Sequence, residues 1–138
     1  MQIIINFFGD VMNYSKKRDM ILRTLRKPDF HPTVETVYNE LKSEYPKLSL
    51  ATVYRNLNQL CEANTIKRLM LPNSPDRFDA LITPHYHFYC NECNQVYNIE
   101  QCKQDCSMLL QDNFPHKITG YDVIFYGTCS ECLNGKSL

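Results

Sequence analysis

The sequence predicts an α+β chain in two units: a helical, basic half followed by a strand-rich, acidic and cysteine-rich half. Three observations carry that expectation. Three amphipathic helical stripes precede residue 64 and run into a hairpin pattern. Residues 1–72 hold eleven Lys/Arg against seven Asp/Glu, a net of +4, while residues 73–138 hold four against eight, a net of −4. Two Cys-x-x-Cys pairs, Cys90/Cys93 and Cys129/Cys132, fall in the second half, and two such pairs can close a tetrahedral thiolate site of the kind zinc prefers.

Composition narrows the class. A chain of 138 residues suffices for one ordinary domain or two small ones. No apolar run reaches the roughly 20 residues that span a bilayer, so no membrane partner is expected. Met1–Phe8 is apolar but short, lacks a basic leader and is followed by Gly9-Asp10, a poor export signal. The expected compartment is therefore the reducing cytoplasm, where the seven cysteines favour metal over disulfides.

Residues 1–12 read as an extension of unassigned structure: a strand, a swapped arm or an upstream addition. From Ser15 the pattern turns helical, with Ile21, Leu22 and Leu25 as the apolar stripe, basic residues including Lys16 and Lys17 around it, and Pro28 as the stop. Thr33 is the expected N-cap of a second helix with the stripe Val34, Val37, Leu41 and Tyr45. Ser49 caps a third, Leu50 to Ala63, with the stripe Leu50, Val53, Leu57 and Leu60; Asn64 ends it. The opposite face of this helix offers Thr52, Arg55, Asn56 and Gln59, with Tyr54 at its edge. Hydroxyl, guanidinium and amide groups are the types that read phosphates and base edges, although a solvated polar face is the commoner meaning of any one such helix. Ile66–Leu71 and Arg77–Ala80 flank a Pro/Asn/Ser turn. Three helices and a hairpin describe a winged-helix DNA-binding domain over residues 1–72, with a linker or hinge at 73–82.

Residues 83–138 are expected to form a small α+β unit: strands at His85–Cys90, Gln95–Ile99 and Ile118–Tyr126, and a helix from Glu100 to Asn113 that turns Met108, Leu109 and Leu110 inward. One helix and three short strands bury little, so a zinc staple and dimerisation are expected to complete the fold. The stretch His85-Tyr86-His87-Phe88-Tyr89-Cys90 also sets two imidazoles at i and i+2, on one face of a strand. This points to two metal sites, one closed by sulfur and one open. Cys61 reads as a small core residue, Cys102 and Cys106 as a helical pair poorly oriented for a disulfide, and His116 as exposed.

Four motifs carry a resemblance to the ferric uptake regulator family of bacterial metal-dependent repressors. They are His31-Pro32-Thr33, Ser49-Leu50-Ala51-Thr52-Val53-Tyr54-Arg55-Asn56-Leu57, Pro84-His85-Tyr86-His87-Phe88-Tyr89-Cys90-x-x-Cys93, and Tyr126-Gly127-Thr128-Cys129-x-x-Cys132. The resemblance implies a homodimer that binds a palindromic operator in double-stranded DNA. It implies structural Zn2+ at Cys90, Cys93, Cys129 and Cys132. It also implies a regulatory Fe2+ or Mn2+ site drawn from His31, Asp79, His85, His87 and Asn98. Tyr54 and Arg55 become the leading base contacts, supported by Ser49, Thr52, Asn56, Lys16 and Lys17. Arg77-Phe78-Asp79 followed by Pro-His-Tyr-His resembles the peroxide-sensing branch, in which a ligand histidine is oxidised; His31 and His85 are then the oxidation-sensitive residues. The alternative is a repressor of the same family that senses iron or another metal by its level. Asn98 departs from the pattern, an amide standing where a carboxylate is usual, and an amide oxygen is a weaker ligand. Gly120 and Tyr121 stand where a histidine of an auxiliary site would be expected. No enzyme activity and no small-molecule substrate are expected, because a four-cysteine site leaves no open position for a reacting water.

Overall fold

The computed structural model describes residues 16–100 and 106–135. Residues 1–12 and Cys102 lie outside them. The chain divides into two compact units, residues 1–82 and 83–138.

The first unit is three helices and a hairpin. Residues 16–25 form α1, Val34–Leu41 form α2 and Leu50–Glu62 form α3. Both expected caps are present. Thr33 Oγ1 accepts from Thr36 N at 3.1 Å, and Ser49 Oγ accepts from Thr52 N at 3.1 Å, each satisfying an N–H that the helix itself leaves open. Asn64 follows α3 in the left-handed region, at φ 56°, as a helix-terminating residue tolerates. Strands β1 (Lys67–Leu69) and β2 (Arg77–Asp79) then pair antiparallel, Lys67 opposite Asp79.

One apolar core unites these elements: Ile21 and Leu25 from α1, Val37 and Leu41 from α2, Val53, Leu57 and Leu60 from α3, with Leu48, Ile66 and Phe78. Phe78 is fully buried. Arg77–Asp79 is the second wing strand that the hairpin pattern predicts, so this part of the expected linker at 73–82 belongs to the wing. Burial of Phe78 in the helical core makes that assignment compulsory. Arg18 Nη2 donates to Gln59 Oε1 at 3.1 Å, tying α1 to α3. Two expected core residues are exposed. Tyr45 lies beyond the end of α2 and Leu50 occupies the first position of α3, so neither follows the helical stripe inward.

The second unit holds a three-stranded sheet in the order β4-β3-β5, built from β3 (Tyr86–Cys90), β4 (Val96–Ile99) and β5 (Ile124–Gly127). β3 pairs antiparallel with β4 and parallel with β5. A short helix, α4 (Ser130–Leu133), follows. The expected strand from Ile118 shrinks to Ile124–Gly127. The expected helix at Glu100–Asn113 is, among the described residues, only a 3-10 turn at Cys106–Leu109, and Leu109 is 82% exposed rather than inward. Among the described residues of this unit the buried apolar ones are few: Tyr89, Cys90, Val96 and Cys129. Leu109, Leu110, Phe114, Tyr121, Phe125 and Tyr126 stand exposed on the single chain.

No helix among the described residues is long and apolar enough to cross a membrane.

Candidate metal centres and nucleic-acid interface

The four-sulfur cluster is assembled by two chain reversals. After β3 the chain turns through Asn91–Asn94. Asn94 is left-handed (φ 62°), its N–H donates to Cys90 O at 2.9 Å, and its side-chain oxygen accepts from the Tyr89 hydroxyl at 2.7 Å. This turn brings Cys93 back beside Cys90. On the other side β5 ends at Gly127, where any Cβ would meet the Phe88 ring at 3.3 Å. Its carbonyl accepts from Asn91 N at 2.8 Å, joining the two knuckles. Cys129 then caps α4, which carries Cys132.

The result is four sulfurs all within 4.8 Å of one another, with Cys90–Cys132 at 3.6 Å and Cys93–Cys129 at 3.7 Å. A tetrahedron with Zn–S bonds of about 2.3 Å has edges of about 3.8 Å, so these spacings fit a structural zinc. The surroundings favour thiolates at two of the four. Burial would raise the Cys90 thiol, but backbone N–H groups of Cys93, Cys129 and Glu92 outweigh it and hold the thiol at about 6. Cys129 is lowered by the Cys132 N–H and by the Tyr97 hydroxyl, while burial raises Cys93. Tyr97, donating to Cys129, is itself pushed up. Donors aimed at sulfur stabilise the charged form that binds metal.

The nitrogen and oxygen candidates form two pairs, one in each unit. In the first, His31 Nε2 faces Asp79 Oδ2 at 3.5 Å, with both side chains buried. The second carboxylate oxygen of Asp79 accepts from Leu81 N at 2.9 Å, which fixes the group at the end of β2. In the other unit, His85 Nε2 and His87 Nε2 are 3.0 Å apart and the rings meet edge to face. His85 Nδ1 lies 2.7 Å from Thr83 O, so the ring is held from behind. Asn98 is directly opposite His87 in the β3–β4 ladder, which sets both side chains on one face of the sheet. That register was not readable from spacing alone.

The outer face of α3 is narrower than expected. Tyr54 and Arg55 are exposed. Ser49 and Thr52 are engaged with each other, their hydroxyls 2.8 Å apart at the cap. Lys16 and Lys17 are exposed at the start of α1. Asn56 is the correction: it is 1% exposed and donates to Thr52 O at 2.8 Å. Its position three after Val53 and four before Leu60 puts it on the apolar stripe despite its polarity. Cys61 packs against the core, and burial raises its thiol. His116 is exposed.

A winged helix followed by a compact four-cysteine unit defines a metal-responsive DNA-binding regulator. The chain belongs to the ferric uptake regulator family, whose model matches residues 10–117. It is 34% identical over 125 residues to the ferric uptake regulation protein of Campylobacter upsaliensis, covering 88% of this chain and 80% of that one. It is 31% identical over 117 residues to the peroxide-responsive repressor PerR of Staphylococcus aureus, covering 84% and 79%. The ferric uptake regulator of Francisella tularensis, solved with iron, superposes with a TM-score of 0.69 at 26% identity, covering 84% and 90%.

Proposed function

We propose that this chain is a cytoplasmic, homodimeric repressor whose binding to a palindromic operator requires a metal ion at His31, Asp79, His85 and His87, and which hydrogen peroxide inactivates. The observation that carries the reading is the pair of pre-formed donor sets, His31–Asp79 at 3.5 Å in one unit and His85–His87 at 3.0 Å in the other. Neither pair fills a coordination sphere. A metal bound by both would clasp the two units and so fix the presentation of Tyr54 and Arg55 on α3.

Zinc at the four cysteines holds the second unit in shape, and the exposed apolar residues of that unit become the dimer contact. Ferrous iron held there by His31, Asp79, His85 and His87 would supply the one-electron chemistry that activates peroxide. His31 and His85 are the targets. One oxygen atom of peroxide is added to an imidazole carbon, the other leaves as water, and the oxidised ring no longer serves as a ligand. Manganese at the same residues supports DNA binding without this reaction.

The experiment is operator binding by anaerobic iron- and manganese-loaded protein, before and after dilute peroxide, with mass spectrometry of the His31 and His85 peptides. Loss of binding together with one added oxygen, in the iron form alone, is the expected result. A second reading is favoured by Asn98 beside His87: a neutral amide there leaves the metal charge less neutralised and the site weaker, as suits a sensor of metal level. That reading holds if peroxide leaves both forms bound while chelation releases both.

A further inference from the structure

The segment that carries His31 is short, lies between two helices, and has no regular structure of its own. Its hold on the wing is nevertheless specific. Arg77 Nη1 donates to His31 O at 3.1 Å. Phe78 N donates to Pro32 O at 3.0 Å. Asp79 Oδ2 faces His31 Nε2 at 3.5 Å. Three consecutive residues of β2 therefore grip two consecutive residues of the loop, and the middle one, Phe78, is anchored in the core.

We infer that Arg77 is a positioning residue for the metal site, acting through the His31 main chain. The inference rests on the reading of His31 and Asp79 as ligands. A histidine in an irregular loop can swing its ring by small backbone rotations. A guanidinium fastened to its carbonyl removes that freedom, because Arg77 departs from the same strand that delivers Asp79 two residues later. The His31 imidazole and the Asp79 carboxylate are thus indexed to one another before metal arrives. Pre-organisation of this kind lowers the ordering cost of binding, and partners behind metal ligands typically contribute about tenfold to a hundredfold in affinity. The same bond links ligand and wing: β2 pairs with β1 through Leu69 opposite Arg77, so a shift of His31 on metal binding is transmitted to the hairpin.

The test uses the full-length, zinc-containing protein and Mn2+ as the probe, with affinity measured by competition against a fluorescent chelator. Arg77→Ala should weaken Mn2+ binding by about tenfold or more, while the thermal midpoint of the manganese-free protein and its zinc content stay close to those of the parent. Arg77→Lys keeps one donor for the His31 carbonyl and should restore affinity to within about threefold of the parent. If the alanine variant fails to fold, Arg77→Gln takes its place with the same expectation. Unchanged Mn2+ affinity in the alanine or glutamine variant overturns the inference, and so does a lysine variant as weak as the alanine one. His31→Ala, measured alongside, separates the two levels. If His31→Ala leaves Mn2+ affinity intact, the ligand reading itself fails. If His31→Ala weakens binding and Arg77→Ala does not, only the role of Arg77 fails.

Discussion

The two units of this chain solve the same problem with different materials. The first has an apolar core drawn from three helices and the wing, with Ile21, Val37, Val53, Leu57 and Phe78 all fully buried. Its polar features sit on top of a structure that packing already determines. The second has a three-stranded sheet, few buried apolar residues among those described, and four sulfurs within 4.8 Å of one another. Small units with so little apolar burial need a staple, and a metal-sulfur cluster is one of the strongest. Where hydrophobic packing carries the fold, single side chains can be lost with graded effect. Where a metal carries it, loss of one ligand is close to all-or-none.

The largest expected effect follows from that contrast. Cys93→Ser should release zinc, unfold the second unit and give a monomer, while the helical signal of the first unit survives. Structural zinc in small modules is worth about 10–16 kcal/mol, far more than such a unit holds in reserve. Circular dichroism, metal analysis and sedimentation would report it together. A folded, dimeric Cys93→Ser protein under chelation would refute the staple.

Phe78→Ala makes the complementary cut. It should cost the first unit about 3–5 kcal/mol in denaturant unfolding, and zinc content should not change. A smaller contrast is local to α3. Arg55→Ala should weaken operator binding by about 1–3 kcal/mol without loss of stability. Asn56→Ala should do the reverse, lowering stability while leaving the outer face intact, because the side chain is buried on the stripe between Val53 and Leu60.

The smallest effect is in pH. In the metal-free protein the Cys90 thiol is held at about 6 against an ordinary value of 9.0. A depressed value means the folded state favours the thiolate. That contribution is complete above about pH 9 and is lost progressively as the pH falls towards 6. Zinc retention by the second unit against a fixed concentration of chelator should therefore weaken as the pH falls across this window, because protons compete with the metal for Cys90.

Much of this was legible in the chain. The caps Thr33 and Ser49, the two Cys-x-x-Cys pairs and the His-x-His spacing depend on local chemistry, and local chemistry is what a sequence displays. Failures came where a pattern met a boundary or a distant partner. Tyr45 and Leu50 matched the helical period but lie at or beyond helix ends. Arg77–Asp79 reads as the second arm of the hairpin, but a three-residue strand gives no periodicity from which to set a domain boundary; the packing of Phe78 in the helical core ties it to the first unit. Leu109 and Leu110 were expected inward because apolar residues need cover. In the single chain they stay exposed, Leu109 on a short 3-10 turn with nothing packed over it among the described residues. The facing of Asn98 and His87 needed the ladder register, and the grip of Arg77 on His31 spans 46 residues of sequence.

The central claim is that one metal builds the fold and another is read out. The most direct measurement is metal content and operator binding on the same sample, before and after mild chelation. The expected result is that one zinc per chain stays, the second metal leaves, operator binding is lost, and Mn2+ restores it. Operator binding that persists with the second metal gone, or that disappears only when zinc is removed, would contradict the account.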